Sequence, residues 1–259
     1  MEKLLEIMRA LRAPGTGCPW DLAQSMRTIV PHTLEEAYEV ADAIEREAWD
    51  ELPGELGDLL FQVVFYCQLA GEEGRFDFAT VVDEISTKLL RRHPHVFGER
   101  TADCPEAVAA QWEEIKAGER HRPGEAPPSA LDHIPLGLPS LTRAHKLQSR
   151  AARIGFDWPD AAPVLDKVAE ELAELRGCLA EGGAVGHAGE ELGDLLFSCV
   201  NLARHLGIEP EGALREASRK FERRFRYVET AVRAAGGDPA ATPLAELDAK
   251  WDEAKARGL

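Results

Sequence analysis

Glu171 and Glu174 stand three residues apart, and so do Glu191 and Asp194. On an α-helix that spacing is about one turn, so each pair would share a helix face. If the two segments are antiparallel helices joined by a short connection, the four carboxylates converge in one groove. Anions so close repel, and some would protonate unless a cation held them. Carboxylate oxygens are hard ligands, and with no Cys or His at matching spacing they suit Mg²⁺, with Mn²⁺ as the alternative. The chain contains no Glu-x-x-His sequence, which counts against the di-iron helical bundles that also gather carboxylates.

A cationic landmark supplies the other half of a phosphate site. Lys220, Arg223 and Arg224 fall at i, i+3 and i+4 of one helical pattern, and arginine can bind phosphate oxygens with two parallel donors. Alone, the segment "KFERRFR" at 220–226 reads as a solvated basic face; beside an acidic metal cluster it becomes a phosphate clamp. Trp251 and Lys255 lie one turn apart and offer an aromatic plane and an ammonium to a nucleotide, although a tryptophan at helical spacing also reads as core. Lys167, four residues before Glu171, adds a cation to the acidic face.

What must position these groups is written twice. "EELGDLLF" at 190–197 has a near copy, "GELGDLLF", at 54–61. Around it, "EEAYE" at 35–39 answers "EELAE" at 170–174, Lys88 to Arg92 answers Lys220 to Arg224, "QWEEIK" at 111–116 answers "KWDEAK" at 250–255, and "GCPW" at 17–20 answers "GFDW" at 155–158. Offsets that drift by only a few residues describe one ancestral unit, duplicated, with helices in register and loops of changed length. The expected organisation is therefore an N-terminal unit over 1–117, a Pro- and Gly-rich linker over 118–139, and a C-terminal unit over 140–259. Within each unit apolar residues recur at spacings of three and four, as in Leu52, Leu56, Leu59, Leu60, Val63, Val64 and Cys67, and again in Leu192, Leu195, Leu196, Cys199, Val200 and Ala203. These stripes are expected to lock the acidic helices together. Strand patterning is nearly absent. The fold class expected is all-α, two tandem helical bundles of four to five helices each.

Composition sets outer limits. Forty-six acidic against thirty basic residues give a formal charge of −16, which argues against nucleic acid or an anionic membrane as the main partner. Five widely spaced cysteines form no CxxC and suggest neither a disulfide framework nor a zinc site. The first residues, "MEKLLEIMRALRAPG", carry charges through their apolar positions, unlike a signal peptide, and no apolar run approaches the roughly 18 residues of a membrane span. A soluble, cytoplasmic protein is expected.

The ordered series "GCPWD", "GELGDLLFQVVFYCQ", "RRHPHVFGE", "GFDW", "EELAE", "ELGD" and "KFERRFR" resembles the two-domain bacterial members of the MazG family of nucleoside triphosphate pyrophosphohydrolases, over nearly the whole chain. The resemblance implies an all-α homodimer that hydrolyses a nucleoside triphosphate such as ATP to the monophosphate and pyrophosphate with Mg²⁺. It implies Glu171, Glu174, Glu191 and Asp194 as metal ligands, and Lys167, Glu171, Lys220, Arg223, Arg224, Trp251 and Lys255 around the nucleotide. Glu170, the spare carboxylate, is one choice of general base. The N-terminal unit keeps Glu36, Glu39, Glu55 and Asp58 with Lys88, Arg91, Arg92, Trp112 and Lys116, a second site of the same kind. It departs where Gly54 stands for Glu190 and His32 for Lys167, and Pro53 is expected to break or open its second acidic helix. The C-terminal unit is therefore expected to be the main catalytic one, of broad specificity and serving nucleotide-pool house-cleaning. Alternatives are an enzyme selective for dUTP or a modified nucleotide, and a non-catalytic nucleotide-sensing helical dimer.

Overall fold

The computed structural model describes residues 1–120, 129–180 and 185–259, and among these there are helices and no strand. The chain divides into two compact units, unit 1 over Met1–Arg122 and unit 2 over Pro123–Leu259.

Unit 1 runs α1 (Glu2–Leu11), α2 (Pro19–Leu22), α3 (Met26–Glu45), α4 (Leu52–Glu72), α5 (Phe78–Arg92), α6 (Pro94–Phe97) and α7 (Pro105–Arg120). The helix ends follow local chemistry. Ser25 caps α3 by accepting the Thr28 N–H at 3.3 Å while Thr28 Oγ1 accepts the Ser25 N–H at 2.9 Å, a reciprocal capping box. Asp77 caps α5 by accepting the Thr80 N–H at 2.9 Å. After α4 the chain turns through Gly74 at φ 67°, a left-handed conformation that costs glycine least. The α3–α4 pair is the centre of the unit, with α1 and α5 packed on α4 and α7 on α5. Met8, Ile29, Val64, Phe65 and Leu69 form the buried core where α1, α3 and α4 meet, each such side chain stabilising the fold by about 1.5–3 kcal/mol. Arg12 closes one end of it, with Nε donating to Glu72 Oε1 at 2.8 Å and Nη2 to Oε2 at 2.5 Å.

Unit 2 repeats the plan with α8 (Ser140–Arg153), α9 (Ala161–Ala180), α10 (Val185–His205), α11 (Pro210–Ala234) and, after a 3₁₀ turn at Pro239–Ala241, α12 (Leu244–Ala256). Here α9 pairs with α10, α8 packs on α10 and α11, and α12 on α11. The Thr142 N–H and hydroxyl both donate to Glu211 Oε2 at 3.1 Å, tying the start of α8 to α11. Asp157 accepts from Arg204 Nη2 and lies 3.0 Å from His205 Nε2, fastening the loop before α9 to the end of α10.

Three expectations change. Residues 118–120 of the expected linker belong to α7, 121–128 lie outside the described residues, and Ile134 beyond them is buried. Pro53 does not break its helix: it occupies the first turn of α4, where its missing N–H would have no helical partner. The stripes expected to lock the acidic helices are only partly buried. Val64 and Cys67 are inside, but Leu56, Leu60 and Val63 on α4, and Leu192 and Leu196 on α10, are more than a third exposed. Periodicity marks an apolar face without saying what covers it. No helix among the described residues is long and apolar enough to cross a membrane.

Candidate functional site

Pairing α9 with α10 brings Glu171, Glu174 and Glu191 together, with one carboxylate oxygen from each lying within 4.8 Å of the others. Glu171 is buried, Glu191 half-buried and Glu174 exposed. Of the four carboxylates expected to converge, Asp194 is the one left out: it is exposed, one turn along α10 from Glu191. Unit 1 builds the matching cluster from Glu36, Glu55 and Asp58 within the same limit. There the omitted member is Glu39, which instead shares a hydrogen bond with Glu36.

In each cluster one carboxyl is pushed above its ordinary range. Burial, and then the Glu171 and Glu191 carboxylates, push the Glu174 carboxyl above its ordinary range. Burial, followed by Asp58 and Glu39, does the same to Glu36. A hard divalent cation relieves this repulsion, so the donor set fits Mg²⁺ or Mn²⁺. Protons compete for the same oxygens, so cation affinity must weaken as pH falls through these raised values.

Lys167 is where the units part. Its Nζ lies 2.7 Å from Glu170 Oε1 and 2.8 Å from Glu171 Oε1, and those contacts hold the ammonium well above its ordinary pKa. Glu170 is thus oriented at the edge of the cluster. His187, which sequence spacing did not single out, stands 3.6 Å from both Glu190 and Glu191. In unit 1 the place of Lys167 is taken by His32, which lies 3.6 Å from Glu35 and edge-on to Trp20. The place of Glu190 is taken by Gly54, in the first turn of α4, where an added Cβ would meet nothing within 4 Å.

The basic landmarks are engaged differently. On α11, Arg223 lies 3.3 Å from Glu216, and Arg224 donates from Nε to the Leu259 oxygen at 2.7 Å with its guanidinium 5.6 Å from the Trp251 ring centroid. Trp251 also tilts against Phe221 at 5.3 Å, so the indole is partly core, and Lys255 reaches Asp252 at 2.9 Å. Lys220 is exposed. In unit 1, Arg91 and Arg92 both converge on Glu119, at 2.6 and 2.5 Å. Those two cations hold the Glu119 carboxyl down to about 2. Trp112 packs edge-on to His93 with Lys116 5.9 Å from its ring centroid, while Lys88 lines a separate shallow groove on α5.

Comparison with known proteins agrees with this geometry. A family model described as the MazG nucleotide pyrophosphohydrolase domain matches residues 24–97, which hold the acidic pairs of unit 1. An Escherichia coli K12 protein named nucleoside triphosphate pyrophosphohydrolase is 53% identical over 257 residues, covering 98% of this chain and 97% of the relative. A Thermotoga maritima protein named nucleoside triphosphate pyrophosphohydrolase/pyrophosphatase MazG is 42% identical over 254 residues, 98% of this chain and 95% of its own. YabN of Bacillus subtilis is 41% identical over 249 residues, 96% of this chain but 50% of YabN. Full-length identity at this level, carried on a doubled all-α unit whose acidic pairs close into clusters, means that the chain belongs to the MazG nucleotide pyrophosphohydrolase family.

Proposed function

We propose that the chain, an enzyme of the nucleoside triphosphate pyrophosphohydrolase kind, cleaves its substrate to the monophosphate and pyrophosphate at the α9–α10 cluster of unit 2, with Mg²⁺ or Mn²⁺ as cofactor. The observation that carries this is the approach of Glu171, Glu174 and Glu191 to within 4.8 Å beside Lys167. Glu171, Glu174 and Glu191 would hold the ion, with Asp194 the next carboxylate on α10. When bound, the ion neutralises triphosphate oxygens and favours departure of the pyrophosphate. Water's oxygen becomes bonded to the α phosphorus, the bond from that phosphorus to the bridging oxygen breaks, and the bridging oxygen leaves with pyrophosphate. Glu170, oriented by its hydrogen bond from Lys167, is assigned to accept the water's proton. Arg223, Arg224 and Lys255 meet the phosphates by exchanging their internal carboxylate and carbonyl partners for phosphate oxygens, and the exposed Lys220 joins them. Trp251 supplies an aromatic plane for the nucleoside.

The working state is a homodimer in this reading. Leu165, Leu172 and Leu179 recur every seven residues along α9 and are 56%, 38% and 66% exposed, which is a helix face left uncovered among the described residues. Leu172 lies between Glu171 and Glu174 in sequence, so such an interface would border the cluster. Broad specificity, a house-cleaning role and a cytoplasmic location complete the reading, since that compartment holds the nucleotide pool. The N-terminal unit is proposed to be regulatory, structural or weakly active, because Gly54 and His32 stand where unit 2 has Glu190 and Lys167.

The test is a panel of nucleoside triphosphates incubated with Mg²⁺ and resolved by chromatography. Monophosphate and pyrophosphate in equal amounts, abolished by excess EDTA, are expected. Diphosphate and orthophosphate as products, or full activity in EDTA, would refute the assignment.

A further inference from the structure

Glu119 stands in the last turn of α7, where a carboxylate meets the negative end of the helix dipole. What holds it there is the pair of arginines that closes α5. Arg91 reaches Glu119 Oε1 from Nε at 2.7 Å and from Nη2 at 2.6 Å. Arg92 donates from Nε to the same oxygen at 3.3 Å and from Nη2 to Oε2 at 2.5 Å. Three of those four donors therefore crowd one carboxylate oxygen, and one meets the other. Two guanidinium forks side by side match a phosphoryl group better, since its three oxygens share the donors more evenly and its charge suits two cations. The clamp is within reach of solvent, because the Arg91 side chain is half exposed.

Unit 2 offers the control. Aligned by "QWEEIK" and "KWDEAK", Gly258 answers Glu119, while Arg223 and Arg224 answer Arg91 and Arg92. With no carboxylate side chain at that register, the arginines of unit 2 take separate partners, Glu216 and the Leu259 oxygen. The shared carboxylate thus distinguishes unit 1 from its copy. Helix stability does not call for it. Arg91 and Arg92 lie in the last turn of α5, where the helix dipole already favours cations, and Glu119 occupies the end of α7 that disfavours an anion. Lys116, one turn before Glu119, adds a third cation to that part of α7.

We propose that Arg91 and Arg92 form an oxyanion site on unit 1 and that Glu119 is its latch, an internal carboxylate that a phosphoryl group of inorganic phosphate or pyrophosphate must displace. The latch is a weak competitor held at high local concentration, so the site opens only when the anion is abundant. Neither the acidic clusters nor turnover enters this inference, and it is tested apart from them. The full chain is titrated calorimetrically with phosphate and with pyrophosphate, in EDTA at fixed ionic strength, with circular dichroism to confirm folding. Glu119→Gln should bind at least one of the two anions about fivefold more tightly than wild type, the gain from releasing an exposed ion pair that competes with the ligand. Glu119→Ala should do the same, which keeps the test valid if either variant misfolds. Adding Arg92→Gln to Glu119→Gln should remove most of the gain, and adding Arg91→Gln as well should abolish it. The arginines of unit 2 are unchanged throughout, so whatever they bind is common to every comparison. A gain with both anions marks a site for a single phosphoryl group; a gain with pyrophosphate alone marks one for a chain of two. Unchanged affinity for both anions in the folded Glu119 variants, or a gain that survives loss of both arginines, overturns the latch.

Discussion

Unit 1 and unit 2 share five long helices in the same order and an acidic cluster at the same place, yet they differ at three levels. Unit 1 fills the space beside its second acidic helix with Phe65, whereas unit 2 leaves a pocket with Asn201 on its wall. Unit 1 binds its paired arginines to Glu119, whereas Arg223 and Arg224 of unit 2 hold a surface glutamate and the Leu259 oxygen. Unit 1 carries His32 at the register position where unit 2 places Lys167 within 2.8 Å of Glu171. The first difference leaves unit 1 packed where unit 2 is open, and the other two change the partners that the cations hold. The comparison teaches that an acidic cluster can be kept in both copies of a repeat while its surroundings diverge.

The sharpest way to break that reading is to remove carboxylates from either unit. Glu174→Ala or Glu191→Ala should lower kcat by on the order of a hundredfold or more, about 3 kcal/mol of transition-state stabilisation. Glu36→Ala or Asp58→Ala should leave kcat within a few-fold. Both sets should fold by circular dichroism, because taking one carboxylate from a repelling cluster relieves strain. Activity lost only through the unit 1 changes would reverse the assignment.

A second experiment compares packing. Phe65→Ala removes the largest fully buried side chain of the core and should cost about 3–5 kcal/mol in denaturant unfolding. Phe221→Ala, on the partly exposed face of α11, should cost well under half of that. Equal losses would show that the two units are packed alike.

The smallest effect concerns Glu119. Its folded pKa of about 2 lies below the ordinary carboxylate value, roughly 4.3 in an unfolded chain. The stabilisation is therefore complete above that unfolded value and is lost as pH falls from there through about 2. Glu119→Gln should cost under about 1 kcal/mol near neutrality, since Arg91 is half exposed. It should also flatten the acid limb of a thermal-stability profile between those two pH values. An unchanged acid limb would mean that the Arg91 and Arg92 pairing does not hold in solution.

Helical periodicity and the repeated acidic octapeptide made the fold class and the clusters readable, because both are local patterns that duplication had kept in step. What stayed hidden was non-local. Spacing could not show that Glu119 would take both Arg91 and Arg92, since long side chains find partners across a bundle. Nor could it show that Asp194 would stand outside the cluster while Glu174 stayed in, which depends on the rotation of α10 against α9. The exposed Leu56, Leu60, Leu192 and Leu196 satisfy the same period as a core stripe. The pocket did leave one trace, the exchange of Phe65 for Asn201 within an otherwise matched segment. Polar-for-aromatic exchange at a buried register position is the signal that would have found it.

Gly54 gives the duplication a history that can be run backwards. A glycine in the first turn of α4 forgoes roughly 0.5–1 kcal/mol of helix propensity, and a glutamate there would also face the positive end of the helix dipole. The backbone leaves open space where the Cβ would go. Neither sterics nor helix propensity therefore bars a carboxylate at this position. The paired changes Gly54→Glu and His32→Lys would give unit 1 the residues that unit 2 carries at Glu190 and Lys167, and would show how far those two positions set the copies apart.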